Sequence, residues 1–471
     1  MDTIHNHPEP QLPSAVAQTH PLSGISTQLL QDYILRENLA HHTTKGIAER
    51  NFGAKGSGLY GTFTVTHDIS VLSKAQIFSA PGKSCRVFAR FSGFTGEKGT
   101  ADATRDLRGF ALRFYTEQGN WDIAGSNLPV FAVKDPEKFP ALMLAQSRDV
   151  TTNLKSITAM WDFWSFNPES LHYLLMLMSD RGNPGSYRHM HGYGNHTFSM
   201  VNDTGQRVWV KFHFRSQQVI RNLSNSEANE MTVRSPDFFQ EDLCHSLQSG
   251  HIPKWKMYIQ VMTEDQAKSF RWNPFDATKV WFHDLFPLQE VGILEFSEMP
   301  NDYFNHVEQA VFSPANLIEG IGLSPDRLLQ ARLFTYGDAQ RHRVGLNATQ
   351  LDVNRCPFPG AGQQTAGSAE CRNLEPEMFA EYSRSENEDD HYTQPGLFYS
   401  KALKGVDRDS LVENIVNSMR QISGLRRAEI INRQLCHFFR ANVELGMRIA
   451  AALDVEIDAA MFTHGKESPA Q

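Results

Sequence analysis

One stretch of the 471-residue chain combines residue types and a spacing that could do chemistry: Arg332-Leu333-Phe334-Thr335-Tyr336-Gly337-Asp338-Ala339-Gln340. Arg332 stands four residues before Tyr336, so on a helix the two side chains share a face. A guanidinium beside a phenol favours the phenolate over its ordinary pKa of about 10, and a phenolate is a hard anionic donor. Taken alone, the pair fits an ordinary buried Tyr–Arg contact better. The thiols offer less. Cys85, Cys244, Cys356, Cys371 and Cys436 are odd in number, scattered and free of CxxC spacing, which argues against a disulfide framework or a zinc site.

The elements that would have to position this pair read as an α+β chain. Its length allows one large domain or two to three average ones, with a substantial core. A formal charge of −8 and the lack of a basic run argue against nucleic acid and membrane surfaces as partners, which favours a small-molecule substrate. No stretch approaches the ~18 apolar residues of a membrane span, and the first residues carry neither a basic n-region nor an apolar h-region. The last residues, Ser468-Pro469-Ala470-Gln471, are not a peroxisomal address, so the expected location is cytoplasmic, in a bacterium.

Residues 1–50 mix Pro, His, Gln and Thr around one short helical pattern at Leu29 to Leu35 and read as an arm. From 51 to 300, period-two runs such as Thr62–Thr66, Val87–Phe91, Val208–Phe214 and Met257–Val261 predict antiparallel strands of a large barrel or sandwich, interrupted by helices such as Leu171 to Met178. Residues 301–405 form a connection, and the stretch from 350 to 400 lacks any periodicity. The segment 406–471 is helical: Ser410 to Glu413 fits a capping box, Gly424 stops that run, and a second amphipathic helix spans Ala428 to Leu453.

The Tyr336 segment resembles the haem-ligating segment of catalases, and the resemblance extends along nearly the whole chain. Matching blocks include Gly46-Ile47-Ala48-Glu49-Arg50, Ala54-Lys55-Gly56-Ser57-Gly58, Ala89-Arg90-Phe91-Ser92, Arg105-Asp106-Leu107-Arg108-Gly109-Phe110 and Gly192-Tyr193-Gly194-Asn195-His196-Thr197-Phe198. The resemblance implies the catalase fold: an antiparallel eight-stranded β-barrel core, an N-terminal arm, a wrapping loop carrying the proximal haem helix, and a C-terminal helical domain, assembled as a homotetramer. It implies haem b, with Tyr336 as the axial ligand of the iron and Arg332 tuning it. Arg50, Arg90 and Arg343 match the partners of the haem propionates, and Phe139 and His196 match residues beside the haem.

The same resemblance finds Gly53 where the family has its catalytic histidine and Ser126 where it has its catalytic asparagine. Ser92 matches the serine that holds that histidine. Phe52 and Phe94 each stand in place of a valine, and Ala132 in place of a phenylalanine, so Phe52, Gly53, Phe94, Ser126 and Ala132 would enclose a reshaped, more apolar pocket. Asp106 matches a channel carboxylate; Ser126 and Asp106 are the remaining candidates for binding substrate or relaying protons. A histidine of the arm, His41 or His42, is another candidate base. A possible NADPH site is implied at His172, Ser179, Arg181, Arg215 and His283, against the alternative of surface residues without a ligand. Three functions are therefore open. One is a haem oxidoreductase that oxidises or rearranges an organic substrate or hydroperoxide with weak or no hydrogen peroxide dismutation. The others are a catalase decomposing hydrogen peroxide, and a haem-binding protein without turnover.

Overall fold

Alternation of side chains along the strands builds the molecule's centre. The computed structural model describes residues 46–358 and 390–456, together with Glu37, Leu39 and Ala40. The chain divides into two units, Met1–Ala48 and Glu49–Gln471. In the first, Glu37, Leu39 and Ala40 are helical and exposed. The helical pattern at Leu29 to Leu35 and both arm histidines, His41 and His42, lie outside the described residues.

In the second unit the strands are β1 (Gly56–Val65), β2 (Ser84–Gly93), β3 (Arg108–Thr116), β4 (Gly119–Ser126), β5 (Gly192–Tyr193), β6 (Phe198–Val201), β7 (Arg207–Ser216), β8 (Lys254–Thr263), β9 (Gln289–Glu298) and β10 (Ile321–Gly322). The ring β1-β2-β3-β4-β5-β7-β8-β9 closes on itself through antiparallel pairs, giving the eight-stranded barrel. β6 pairs with β7 beyond β5 and carries β10. Closure leaves no edge strand to be managed on the ring.

Every second residue of β1 to β4 points inward. Leu59, Phe63, Val87, Phe91, Phe110, Phe114, Trp121 and Ile123 are buried in one core. Aromatic packing fills it: Phe91 lies 5.3 Å from Phe110 and 5.5 Å from Trp255, and Phe114 stacks on Trp121 at 4.4 Å. The intervening residues face outward, where Tyr60, Phe88 and Tyr115 pack under Val307, Ala310, Phe312 and Val353. A buried ion pair pins this covering segment. Arg113 Nε and Nη2 donate to Asp122 at 2.8 and 2.6 Å, and Asp122 Oδ2 also accepts from Ser313 N and Asn316 Nδ2.

A second core joins Ile157–Phe166 and Leu171–Met178 to three helices near the end of the chain, Gly405–Met419, Arg427–Ala441 and Val443–Leu453. Three expectations change here. The first of these helices starts at Gly405 because the Asp407 carboxylate accepts from Lys404 N at 3.2 Å, so Ser410 sits inside the helix and caps nothing. The run from Ala428 to Leu453 is two helices. Asn442 is extended, and its side chain caps the second by accepting from Leu445 N at 3.1 Å. Within the supposedly irregular stretch, Thr393–Leu397 and Phe398–Ala402 are helical, held by burial. A side chain at Gly396 would meet Ala441 O at 2.3 Å. Residues 359–389 lie outside the described residues. No described helix is long and apolar enough to cross a membrane.

Candidate active site

Strand register lays out a floor on the outer face of β2, β3 and β4. Phe88, Arg113 and Asp122 form one cross-strand row, Arg90, Ala111 and Ala124 the next, and Ser92, Gly109 and Ser126 the third. Residues directly opposite in a sheet share a face. Gly109, Ala111 and Ala124 are all partly exposed, so the middle of the floor is a shallow strip of small side chains between taller polar ones.

Along one border runs the helix Arg327–Val344, capped by Asp326, whose carboxylate accepts from Leu329 N at 3.0 Å, and stopped at Gly345 with φ +101°. The four-residue spacing brings Arg332 and Tyr336 together as expected: Arg332 Nη2 donates to the Tyr336 hydroxyl at 2.5 Å and to Ala124 O at 2.9 Å. Arg332 Nη1 contacts His196 Nε2 at 2.6 Å, and His196 Nδ1 lies 2.6 Å from Asp326 Oδ2. Because a guanidinium can only donate, His196 carries its proton on Nδ1 and accepts at Nε2. Burial, with Arg332 adding to it, lowers the His196 pKa against the opposing pull of Asp326, which keeps the imidazole neutral. The outcome is a carboxylate–imidazole–guanidinium–phenol chain. Asp326 was missed as a site residue, although an acidic cap just before the helix was a readable signal.

Arg343, seven residues beyond Tyr336 on the same helical face, reaches the other predicted arginines. Arg50 Nη1 and Arg343 Nη2 both bind Glu308 Oε2, at 3.2 and 2.9 Å. Arg50 Nη2 also donates to Val307 O, Glu308 O and Ala310 O. Arg90 donates to Gly53 O at 2.8 Å and Ala54 O at 3.3 Å, while its buried Nε and the buried Glu308 Oε1 have no partner among the described residues. Burial and the mutual repulsion of the three guanidiniums press the Arg50 pKa downward, and burial does the same to Arg90 and Arg343. Arginine keeps its proton in proteins, so such a cluster is relieved by binding anions. Nothing in the sequence around Glu308 marked it as part of this site.

The opposite border carries the predicted pocket residues. Gly53 has φ +66°, its N donates to Phe94 O at 3.0 Å, and a Cβ there would lie 2.9 Å from Ser92 Oγ. Phe52 stacks on Phe94 at 5.1 Å and meets Phe139 edge-on at 6.1 Å; Phe131 lies 6.1 Å from both Phe94 and Phe139. All four rings are partly exposed. Beside Phe52 opens a cleft of about 150 Å³ lined also by Asn51, Thr95, Glu97, Arg148 and Lys155. Ala132 is placed differently: it is buried in the helical core, its carbonyl accepting from Ser170. Ser126 Oγ is engaged with Leu128 O at 3.0 Å and with the Asn195 amide at 2.9 to 3.0 Å. The Asp106 carboxylate accepts from Phe94 N, Thr95 N and Thr95 Oγ1 and so holds the loop that carries Phe94. Asn195, with φ +63°, carried no sequence signal as the partner of Ser126.

These residues fit a haem. The floor suits a flat ring, Tyr336 offers a phenol already in contact with a cation, and two guanidiniums sharing one carboxylate, with that of Arg90 nearby, suit two propionates. No group of three or more His, Cys, Asp or Glu is gathered among the described residues as if for a bare metal ion.

The residues of the possible nucleotide site form a separate group. His172 and Arg181 both lie against the Phe398 ring, at 6.1 and 5.5 Å, and His283 is 5.9 Å from His213. Burial, then the charges of Arg215 and Arg181, lower the His191 pKa to about 4. Arg215 Nε, His172 Nδ1 and His213 Nδ1 are buried without partners among the described residues. Ser179 Oγ is engaged with Met176 O at 2.7 Å.

A catalase family model matches residues 13–389, and a model described as catalase-related immune-responsive matches residues 385–453. A catalase of Staphylococcus aureus is 45% identical over 464 residues, covering 92% of this chain and 91% of the relative. Among solved structures, a bacterial catalase and catalase A from Saccharomyces cerevisiae each superpose with a TM-score of 0.82 at 34% identity. Each covers 92% of this chain, and the matches span 92% and 95% of those structures. The barrel and its site are thus the scaffold of a haem- and peroxide-associated oxidoreductase, and the chain belongs to the catalase family.

Proposed function

We propose that this chain is a haem b oxidoreductase with a rebuilt distal pocket, acting on an organic substrate or an organic hydroperoxide and dismuting hydrogen peroxide weakly or not at all. One observation carries the reading: the position of the family's catalytic base is Gly53, in a left-handed backbone conformation, flanked by the stacked Phe52 and Phe94. The site has no general base there, and such a base contributes about 10²–10⁴-fold. When bound, the haem supplies a ferric centre that can accept a peroxide. Tyr336 would hold the iron, with Arg332 donating to its phenol oxygen and His196 and Asp326 fixing Arg332. Arg50, Arg90 and Arg343 would hold the propionates. Phe52, Phe94, Phe131 and Phe139 would pack against an apolar substrate and exclude water, and Asp106 would fix the Phe94 loop.

A second reading, an ordinary peroxide-decomposing catalase, is favoured by the 45% identity to a catalase over nearly the whole chain. Comparing the consumption of cumene hydroperoxide with that of hydrogen peroxide separates the two. The rebuilt pocket is expected to prefer the aromatic hydroperoxide and to lose that preference in Phe52→Val/Phe94→Val. A preference for hydrogen peroxide in the unaltered protein favours the second reading. The unpartnered Arg215 Nε, His172 Nδ1 and His213 Nδ1 support an anionic ligand such as NADPH at the separate cationic group. A cytoplasmic homotetramer is the corresponding proposal for location and assembly.

A further inference from the structure

The distal side of the floor carries two hydroxyls on one cross-strand row, Ser92 and Ser126, with Gly109 between them. Their surroundings differ. Ser126 is saturated by Leu128 O and Asn195, and Asp106 by the backbone of Phe94 and Thr95 together with the Thr95 hydroxyl. Ser92 Oγ makes no hydrogen bond among the described residues. Its residue is 7% exposed and Oγ keeps part of that small opening, so the hydroxyl can be reached by a ligand while little water surrounds it.

Two glycines make room for it. A Cβ at Gly109 would lie 2.5 Å from Ser92 Oγ and one at Gly53 2.9 Å, so any side chain at either position would displace the hydroxyl. The loop that brings Gly53 there is fixed on both sides, by Gly53 N on Phe94 O and by Arg90 Nη2 on Gly53 O. An unpaired hydroxyl in a poorly solvated site gains most from a partner that arrives with the ligand.

We infer that Ser92, rather than Ser126 or Asp106, is the hydrogen-bond donor to whatever small ligand sits on the distal side. Its O–H points a proton at the ligand, and no covalent step is asked of it. The inference rests on the haem placement proposed above but not on the substrate, so it can fail while the oxidation of an organic substrate stands, and the reverse.

The test is fluoride binding to the ferric, haem-loaded protein, read as a dissociation constant from the visible spectrum. Ser92→Ala is expected to weaken fluoride by about tenfold or more, as for loss of one hydrogen bond to an anion. It should leave haem content and thermal midpoint unchanged, since no internal bond is lost. Ser126→Ala, which breaks a buried pair, is expected to lower the thermal midpoint and to weaken fluoride less. Gly53→Ala keeps the Ser92 hydroxyl but crowds it, and should also weaken fluoride. Unchanged fluoride affinity in Ser92→Ala, or an equal loss in Ser92→Ala and Ser126→Ala, would overturn the assignment.

Discussion

Tyr336 and Gly53 face the same floor and carry different amounts of information. The Arg332–Tyr336 pair was legible because a four-residue spacing is geometric, and the structure closes it at 2.5 Å. Replacing the phenol should therefore be decisive: Tyr336→Phe is expected to abolish the ferric haem spectrum of the purified protein, and an unchanged spectrum would remove Tyr336 as the ligand. Gly53 was legible only as an absence. That its backbone is left-handed, and that Ser92 Oγ occupies the space a side chain would need, could be learned only from the fold. Restoring a histidine there would require both the backbone and Ser92 to shift. Glu308 and Asn195 joined the site through contacts distant in sequence, which no local pattern encodes, and Asp326, although legible as a helix cap, did so through its distant contact with His196.

Elements were read best where burial imposes a period. The runs at Val87–Phe91 and Val208–Phe214 fall inside β2 and β7 because one face of each strand enters the barrel core. Helix ends were read worse. The spacing from Ala428 to Leu453 continues across Asn442, and only the side-chain cap on Leu445 N shows that the chain turns there. Asn442→Ala is expected to cost about 1 kcal/mol in a urea titration, the ordinary cost of losing a cap, with little effect on the haem spectrum. A neutral or stabilising result would mean that packing, not the cap, sets the break. Helix formation at Thr393–Ala402 was invisible for the converse reason: Pro395 and Gly396 disfavour helix locally, and tertiary burial overrides them.

Across the whole molecule, the buried histidines set a pH limit. Burial, with Lys279 adding to it, pushes His172 to about 3; burial and Arg215 push His213 to about 3 and His191 to about 4. The unfolded chain takes up these protons near pH ~6.5, whereas the folded chain resists until about pH 3–4. Stability is thus full above about pH 6.5 and falls on acidification, by roughly 2 kcal/mol for each fully buried histidine by about pH 5. A urea midpoint equal at about pH 7 and about pH 5 would contradict this. The fold alone does not decide what the scaffold does with its floor, since a family fold can carry altered chemistry. Oxygen evolution from hydrogen peroxide by the haem-loaded protein, measured beside the Staphylococcus aureus catalase, tests this most directly. The rebuilt pocket should evolve oxygen more slowly by about 10²–10⁴-fold, the contribution of the missing base; a rate comparable with that catalase would mean that the pocket still decomposes hydrogen peroxide without a base at Gly53.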